Sequence, residues 1–296
     1  MAPGISVLMR VGHIHDFLMP AVNSILKSNL NSEYELLILP IGCNSESMFF
    51  LKNLKNPHIR VIDSSNCDSL AMALNRGMDH AHFDYIAIMD SDDLSSPDRL
   101  QSQLDFLNCH KDISIVGSQV RFIDQKGEVV KHSEFPQSNK KIRSLLKSYS
   151  CIVHPSVMFR KTSIISIGGY SSEFAYAHDY ELWLRARATL KFHNLNEKLI
   201  DYRVHEMGVS SKYKSRQDNF ALLAKSQNNL LVKLFPRFEI LKKSSYWYFK
   251  IFDPYFGLRA FILVVVDKSI KFNLMRIAIR VLVWPGLVLK KINTLF

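Results

Sequence analysis

Short apolar segments alternate with segments of helical periodicity along residues 1–90 of the chain. The apolar segments are residues 5–9, 34–39, 58–62 and 85–89. Between them, residues 15–30 and 69–82 place apolar side chains every three to four positions, which is typical of amphipathic helices. Because strands that alternate with helices form a parallel sheet, the sequence predicts an α/β fold.

The rest of the chain continues this pattern with shorter elements. The sequence predicts helices at 97–110, 140–146 and 179–188, strands at 113–117, 120–123, 156–160 and 199–203, and a turn at 124–127. The polar segment 208–215 indicates a boundary. We therefore expect a first domain over residues 1–210 and a mostly helical C-terminal region over residues 211–296.

The fourth predicted strand ends in a cluster of carboxylates, Asp90, Asp92 and Asp93. Negative charges this close repel one another, and burial increases the repulsion, so we expect a cation beside them. Mg²⁺ and Mn²⁺ prefer oxygen ligands, and ligands of open α/β sheets bind beyond the carboxyl ends of the strands. The alternative is that residues 93–98 only cap the following helix.

Positive charge is concentrated at the end of the chain. The whole sequence has a net charge of +11. Residues 211–296 contain 16 Lys and Arg against 4 Asp and Glu, a net of +12, whereas residues 1–210 contain 22 against 23, a net of −1. A near-neutral domain with a basic tail favours an anionic surface as partner.

The tail also has an amphipathic pattern. An apolar stripe at helical spacing is formed by Ile270, Leu274, Ile277 and Val281. Lys268, Arg276 and Arg280 lie off this stripe, and aromatic residues precede it. Such a segment suits the interface of an anionic membrane. The alternatives are packing on the first domain or on a second subunit; without a nucleic-acid-binding motif, we expect no nucleic-acid partner.

The cysteines and the lengths of the apolar segments indicate the cellular compartment of the protein. The four cysteines form no CxxC pair and no zinc spacing, which is typical of reduced thiols in a cytosolic protein. No segment reaches the ~18 uninterrupted apolar residues of a spanning helix, and the first residues lack the apolar core of a signal peptide. We expect a cytoplasmic protein bound peripherally to the inner face of the cell membrane.

Several segments of residues 1–210 resemble, in order and spacing, the inverting glycosyltransferases of family 2, which have the GT-A fold. The segments are SVLM, the Asn-Arg-Gly of residues 75–77, YIAIMDSDDLSSPDRLQSQLDFL, HPSVMFRK, GGY, AHDYELWLR and YRVHEMGVS. The resemblance implies a GT-A, Rossmann-like domain that binds a nucleotide sugar. It also implies a role for individual residues.

Three residues match the family's metal site. Asp92 matches the last residue of the DxD motif, which binds Mn²⁺ or Mg²⁺ on the donor diphosphate. Asp90 matches the residue that approaches the donor ribose or the metal shell. His205 matches a late histidine that contacts metal or phosphate; the alternative is a surface histidine.

Further matches imply the donor site and the base. Asp179 matches the aspartate that acts as general base on the acceptor hydroxyl; the alternative is a helix N-cap. Gly168 and Gly169 match the small-residue loop beside the donor sugar; the alternative is a helix C-cap after residues 163–167. Arg76, within the Asn-Arg-Gly segment, is expected to bind the donor.

The sequence departs from the family at two places. Pro40 and Ile41 stand where the second strand normally ends in an acid that contacts the base of the nucleotide. The residues that could replace this acid are Asn44, Glu46 and Asp63. His178 replaces the glutamate that precedes the catalytic aspartate, and it could stabilise ionised Asp179 or contact the acceptor. His154 is a second histidine expected in or behind the site.

These residues together predict a metal-dependent, inverting glycosyltransferase. The donor is expected to be a nucleotide sugar, with a UDP-sugar favoured, and the acceptor a hydroxyl of a lipid-linked saccharide in surface polysaccharide synthesis. A non-catalytic scaffold with a degenerate GT-A fold is the main alternative, since the acid at residues 40–41 is missing. A nucleotidyltransferase is disfavoured because no glycine-rich basic loop follows the first strand.

Overall fold

The structure is a computed structural model that describes residues 4–205 and 214–227, with side chains of the last segment described from 217 to 225. The chain divides into two units, residues 1–229 and 230–296. The expected boundary after residue 210 and the amphipathic stripe of residues 270–281 lie outside the described residues. No helix in the described ranges is long and apolar enough to cross a membrane.

The described part contains nine strands and eight α-helices. The strands are β1 (Ile5–Val11), β2 (Tyr34–Pro40), β3 (Ile59–Val61), β4 (Tyr85–Asp90), β5 (Leu94–Ser95), β6 (Ile115–Ile123), β7 (Val129–His132), β8 (Met158–Arg160) and β9 (Phe192–Arg203). The helices are α1 (Leu18–Leu26), α2 (Ser45–Lys52), α3 (Leu70–His80), α4 (Arg99–Cys109), α5 (Asn139–Leu145), α6 (Lys161–Ser166), α7 (His178–Ala186) and α8 (Lys214–Gln227).

All nine strands belong to one mixed sheet. The order is β3–β2–β1–β4–β8–β6–β9–β5, with β7 paired to β6. The first four of these strands are parallel to one another, whereas β8 is antiparallel to both β4 and β6. The parallel half is the α/β arrangement expected from the alternation of strands and helices.

Strands β1, β2 and β4 are buried on both faces, which explains their nearly continuous apolar sequence. Because successive side chains point to opposite faces, residues two apart share a face. Face A carries Leu8, Leu37, Leu39, Ile86 and Ile88 and packs against α3 and α7. Face B carries Val7, Met9, Leu36, Ile38, Ala87 and Met89 and packs against α1 and α4.

Helix α3 lies unusually close to face A. Its N-terminus is capped by the Ser69 hydroxyl, which accepts a hydrogen bond from the amide of Met72. A Cβ atom at Gly77 would lie 3.0 Å from Leu39 and 3.2 Å from Leu8. A larger residue at this position would have to displace these two leucine side chains. Glycine therefore permits the close contact with the sheet, which holds residues 75 and 76 beside the ends of the strands.

Several elements differ from those predicted from the sequence. The segments 113–117 and 120–123 form a single strand, β6, and β9 begins seven residues earlier than the predicted strand at 199–203. The sequence did not predict α2, β5 or β7. Phe49 on α2 is 72% exposed and every residue of β7 is exposed, so neither segment has the periodic burial that reveals an element in the sequence.

Candidate active site

The carboxyl ends of β1 and β4 form the floor of the candidate site. Arg10 and Asp90 are neighbours in the parallel register of these strands. Leu8 and Ile88 lie on face A, so the period of two places Arg10 and Asp90 on face A as well. An arginine and an aspartate therefore emerge side by side at the edge of the sheet where ligands of α/β folds bind.

The three predicted carboxylates form one cluster. Asp90, Asp92 and Asp93 each offer an oxygen, and these oxygens lie within 4.8 Å of one another. The pKa of Asp90 is raised to about 6, first by burial and then by the charge of Asp92. Burial, followed by the charges of Asp90 and Asp92, raises the pKa of Asp93 well above its ordinary value.

This cluster fits a divalent cation. Asp93 Oδ1 accepts a hydrogen bond of 2.7 Å from the amide of Arg203, but Asp93 Oδ2 is buried and has no hydrogen-bond partner in the described part of the chain. Buried polar atoms are normally paired, and mutually repelling carboxylates are stabilised by a positive charge. Among the described residues, this cluster is the one group with the donor types and spacing of a metal site.

His205 lies against the carboxylate cluster. Its Nε2 atom is 2.9 Å from Asp92 Oδ2, and its ring is 5.5 Å from that of Phe17 in an edge-on contact. The neighbouring Arg203 lies over the same Phe17 ring, at 4.3 Å, and donates to the carbonyl of Asp92. The end of β9 therefore brings His205 to Asp92, 113 residues away in sequence.

A group of aromatic and histidine side chains also borders the candidate site. His154 Nε2 is 2.9 Å from the Tyr170 hydroxyl, and the rings of His154 and His178 are 5.2 Å apart. Burial is the largest effect and lowers the pKa of both histidines. Arg10 lowers both further, whereas the charge of Asp179 raises the pKa of His178 without offsetting burial. Both are therefore neutral near pH 7, so His178 does not supply a positive charge beside Asp179.

Asp179 is the second residue of α7. Helix α7 begins at His178 after Ala177, and no side chain caps it, so the alternative of Asp179 as an N-cap is excluded. An ionised carboxylate is favoured in the first turn by the free amides there. Asp179 also raises the pKa of Asp90, after the larger effects of burial, Asp92 and Arg10, so the two carboxylates are close enough to interact through charge.

Gly168 and Gly169 end helix α6. Both have positive φ, of 91° and 66°, and their amides donate to the carbonyls of Ile165 and Ile164. Asn75 then fixes the following residue: its side chain accepts from the amide of Tyr170 at 2.8 Å and donates to the Tyr170 carbonyl at 2.9 Å. The Asn-Arg-Gly and Gly-Gly-Tyr segments are thus in direct contact.

Two arginines at the site have unpaired donors. The Nε atoms of Arg10 and Arg76 are buried and have no hydrogen-bond partner among the residues that the structure describes. The predicted donor-site set included Arg76 but not Arg10. The signal for Arg10 was available in the sequence, because it stands two residues after the inward-facing Leu8, next to the end of a mostly apolar strand.

The end of β2 contains no carboxylate. Pro40 is the last residue of β2, and Ile41 packs partly against the core. The side chain of Asn44 caps α2 through the amide of Ser47, and that of Asp63 accepts from the amide and hydroxyl of Ser65. These two candidate replacements for the missing acid are therefore engaged in local hydrogen bonds.

Comparison with known proteins identifies the family. The model of the family described as "Glycosyltransferase like family 2" matches residues 6–253. The chain is a family 2 glycosyltransferase. This finding confirms the resemblance seen in the sequence and disfavours both the non-catalytic scaffold and the nucleotidyltransferase.

Relatives of this glycosyltransferase include two from Escherichia coli. The O-antigen biosynthesis glycosyltransferase WbnJ is 33% identical over 210 residues, covering 68% of this chain and 80% of WbnJ. A UDP-Gal:alpha-D-GlcNAc-diphosphoundecaprenol beta-1,3-galactosyltransferase is 30% identical over 207 residues, covering 68% of this chain and 74% of that enzyme.

Solved structures confirm the predicted GT-A fold. Residues 1–349 of Staphylococcus aureus TarS, crystallised with UDP-GlcNAc, match with a TM-score of 0.59 at 15% identity. The match covers 76% of this glycosyltransferase and 67% of that chain. At this identity the likeness concerns the fold alone.

Proposed function

We propose that this glycosyltransferase is metal-dependent and transfers one sugar, with inversion, from a UDP-sugar to a hydroxyl of a lipid-linked saccharide during surface polysaccharide synthesis. The observation that carries the proposal is the carboxylate cluster at the end of β4, with Asp179 at the start of α7 electrostatically coupled to it. The relatives named for O-antigen biosynthesis and for a diphosphoundecaprenol-linked acceptor support the substrate classes.

Asp92 and His205, with Asp90, are the proposed holders of Mn²⁺ or Mg²⁺. A bound divalent cation supplies charge stabilisation to the departing nucleoside diphosphate. The proposed donor contacts are Arg76, Gly168 and Gly169. We add Arg10 to this set, because its buried Nε has no protein partner and an arginine suits the oxygens of a diphosphate.

Asp179 is the proposed general base. Its carboxylate takes the proton of the acceptor hydroxyl as that oxygen forms a bond to the anomeric carbon. The bond from the anomeric carbon to the diphosphate oxygen breaks on the opposite face, and the nucleoside diphosphate leaves with the bonding electron pair. The neutral His178 and His154 are proposed to border the acceptor, where they can exchange hydrogen bonds without adding charge.

The proposed location is the cytoplasmic face of the cell membrane. A lipid-linked acceptor is held in the membrane, and the basic, aromatic tail after residue 211 has the composition of an interfacial segment. An anionic membrane surface is therefore proposed as a partner of the tail.

Calorimetric titration with nucleotides tests the proposal. We expect UDP to bind more tightly than GDP, dTDP or CMP, and only with Mn²⁺ or Mg²⁺. Asp92→Ala should remove the metal-dependent part of UDP binding, while Asp105→Ala, an exposed carboxylate on α4, should bind like the wild type. A folded wild-type protein that binds no nucleotide, or an Asp92→Ala variant with unchanged binding, would contradict the proposal.

A further inference from the structure

A long segment of the first domain lacks acidic residues. No Asp or Glu occurs between Glu134 and Glu173, although this segment contains Lys140, Lys141, Arg143 and Lys147. Residues 1–210 as a whole carry a net charge of −1, so this concentration of positive charge does not follow from a generally basic domain.

The fold gathers these cations on one surface. One side of α5 and of the turn after it carries residues at positions i, i+3, i+4 and i+7, which are Lys140, Arg143, Ser144 and Lys147. The opposite side buries Ile142 and Leu146. Arg187, directly after α7, joins them around an open depression of about 440 Å³. We call this surface the α5 basic face.

Within the described residues, the cations of the α5 basic face have no acidic partner. The depression is lined by Lys140, Arg143, Ser144, Lys147, Arg187 and Ala188, with no carboxylate among them. In the described part of the chain, no salt bridge includes any of its four cations. Four like charges around one depression repel one another, and an anionic partner would relieve that repulsion.

An exposed aromatic side chain follows the same segment of the chain. Tyr149 follows Lys147 by two residues and is 47% exposed. Tyrosine beside lysine and arginine is typical of the interface between water and a membrane, where the ring lies at the level of the headgroups. A soluble anion would be bound by the cations alone and would give no role to an exposed ring.

We propose that the α5 basic face docks on an anionic membrane, with its four cations on the phosphate groups of the lipids and Tyr149 at the headgroup level. The proposal builds on the membrane-held acceptor of the proposed function but not on the C-terminal tail. The proposal also places the proposed base near the membrane. Arg187 directly follows α7, and Asp179 lies at the start of that helix, about 12 Å from Arg187 along the axis at 1.5 Å per residue.

Vesicle binding by two charge-matched variants of the full chain tests the proposal. One variant is K140Q/R143Q/K147Q/R187Q. The control is K52Q/K55Q/K126Q/K131Q, which removes four positive charges from exposed lysines elsewhere and leaves the tail intact. With vesicles of phosphatidylglycerol and phosphatidylcholine, we expect the first variant to bind at least about tenfold more weakly than the wild type, and the control within about threefold.

Equal losses in the two variants, or no loss in either, would overturn the proposal. Titration with inorganic phosphate separates lipid from soluble anion: phosphate binding that the first variant loses while its vesicle binding stays unchanged would also overturn it. Thermal unfolding of both variants shows that they are folded. Metal-dependent UDP binding is measured on the same samples. A protein that binds vesicles but not UDP would contradict the proposed enzymatic function and not the proposed membrane docking.

Discussion

Asp179 is the side chain on which the proposed reaction depends most directly. It is the second residue of α7, where free backbone amides favour the ionised carboxylate. Its effect on Asp90 indicates that the proposed base and the donor site are close enough to interact through charge.

The substitution Asp179→Asn separates binding from chemistry. An amide keeps the shape of the side chain but cannot take a proton, so we expect turnover to fall by about 10²–10⁴-fold. Binding of UDP with Mn²⁺, measured by calorimetry, should change little. Turnover near that of the wild type would exclude Asp179 as the base.

Arg10 gives a second prediction at the level of one side chain. Its proposed contact is with the diphosphate, so Arg10→Met should weaken binding of UDP by about 10–100-fold, the range of a lost charged hydrogen bond. Binding of uridine should be almost unchanged. Arg10→Lys should recover part of the loss, because it restores the charge without the planar fork.

Arg143→Met is the matched control for Arg10, since Arg143 also lacks an ionic partner among the described residues but lies on α5. An equal loss of UDP and uridine binding in Arg10→Met would show that Arg10 supports the shape of the site instead of contacting phosphate.

The residues of the site were predictable to different degrees. The carboxylate cluster was visible because polar residues at the end of an apolar strand are conspicuous. The local pattern did not show the partners of these residues, because Arg203 and His205 reach Asp93 and Asp92 through the pairing of distant strands. The family resemblance alone suggested that His205 lies at the metal site. Contacts such as those of Asn75 with Tyr170 depend on where a helix and a loop meet, which no local pattern specifies.

At the level of elements, the junction of α6 with α3 is the most constrained connection at the site. Gly169 has a φ of 66°, and a Cβ atom there would lie 2.7 Å from Asn75 Oδ1. Asn75 could move away only by giving up its two hydrogen bonds to Tyr170. The glycine therefore holds together two helices and the loop beside the site.

Gly169→Ala should destabilise the protein by about 2–4 kcal/mol, from backbone strain and the lost hydrogen bonds. Gly127→Ala is the control, since its φ is 89° but nothing lies within 4 Å of the added atom. It should cost about 1 kcal/mol from strain alone. Chemical denaturation measures both, and equal losses would show that the contact with Asn75 does not constrain this position.

Element prediction succeeded where one side of a segment is buried and failed where it is not. The four parallel strands and the helices α1, α3, α4 and α7 have strong apolar patterns and were predicted. Strand β9 was predicted only at its end, because residues 196–198 are exposed and interrupt the pattern. Its pairing with β6, which includes register shifts, defines it in the fold.

For the molecule as a whole, the two buried histidines bear on the pH dependence of stability. The pKa of His154 is lowered by burial well below its ordinary value of 6.5. The unfolded chain therefore binds this proton more readily than the folded protein. Protonation of His154 leaves the free energy of unfolding unchanged above about pH 6.5 and decreases it as the pH falls below that value.

His154→Gln should reduce this loss. We expect the difference in free energy of unfolding between the wild type and the variant to shift in favour of the variant as the pH falls from 7 to 5.5, by at most about 1.4 kcal/mol per pH unit. Taking the difference removes the opposite contribution of Asp90 and Asp93, whose pKa values are raised. A difference that is independent of pH would show that His154 is not buried as a neutral ring.

Helix α7 also bears on which acceptors could be elongated. If the α5 basic face lies on the membrane, the nine residues of α7 limit the height above the lipids of the base at its other end. A saccharide much shorter than that height could not reach the base, and one much longer would have to fold back. The length of a single helix would then select the stage of chain growth at which this sugar is added.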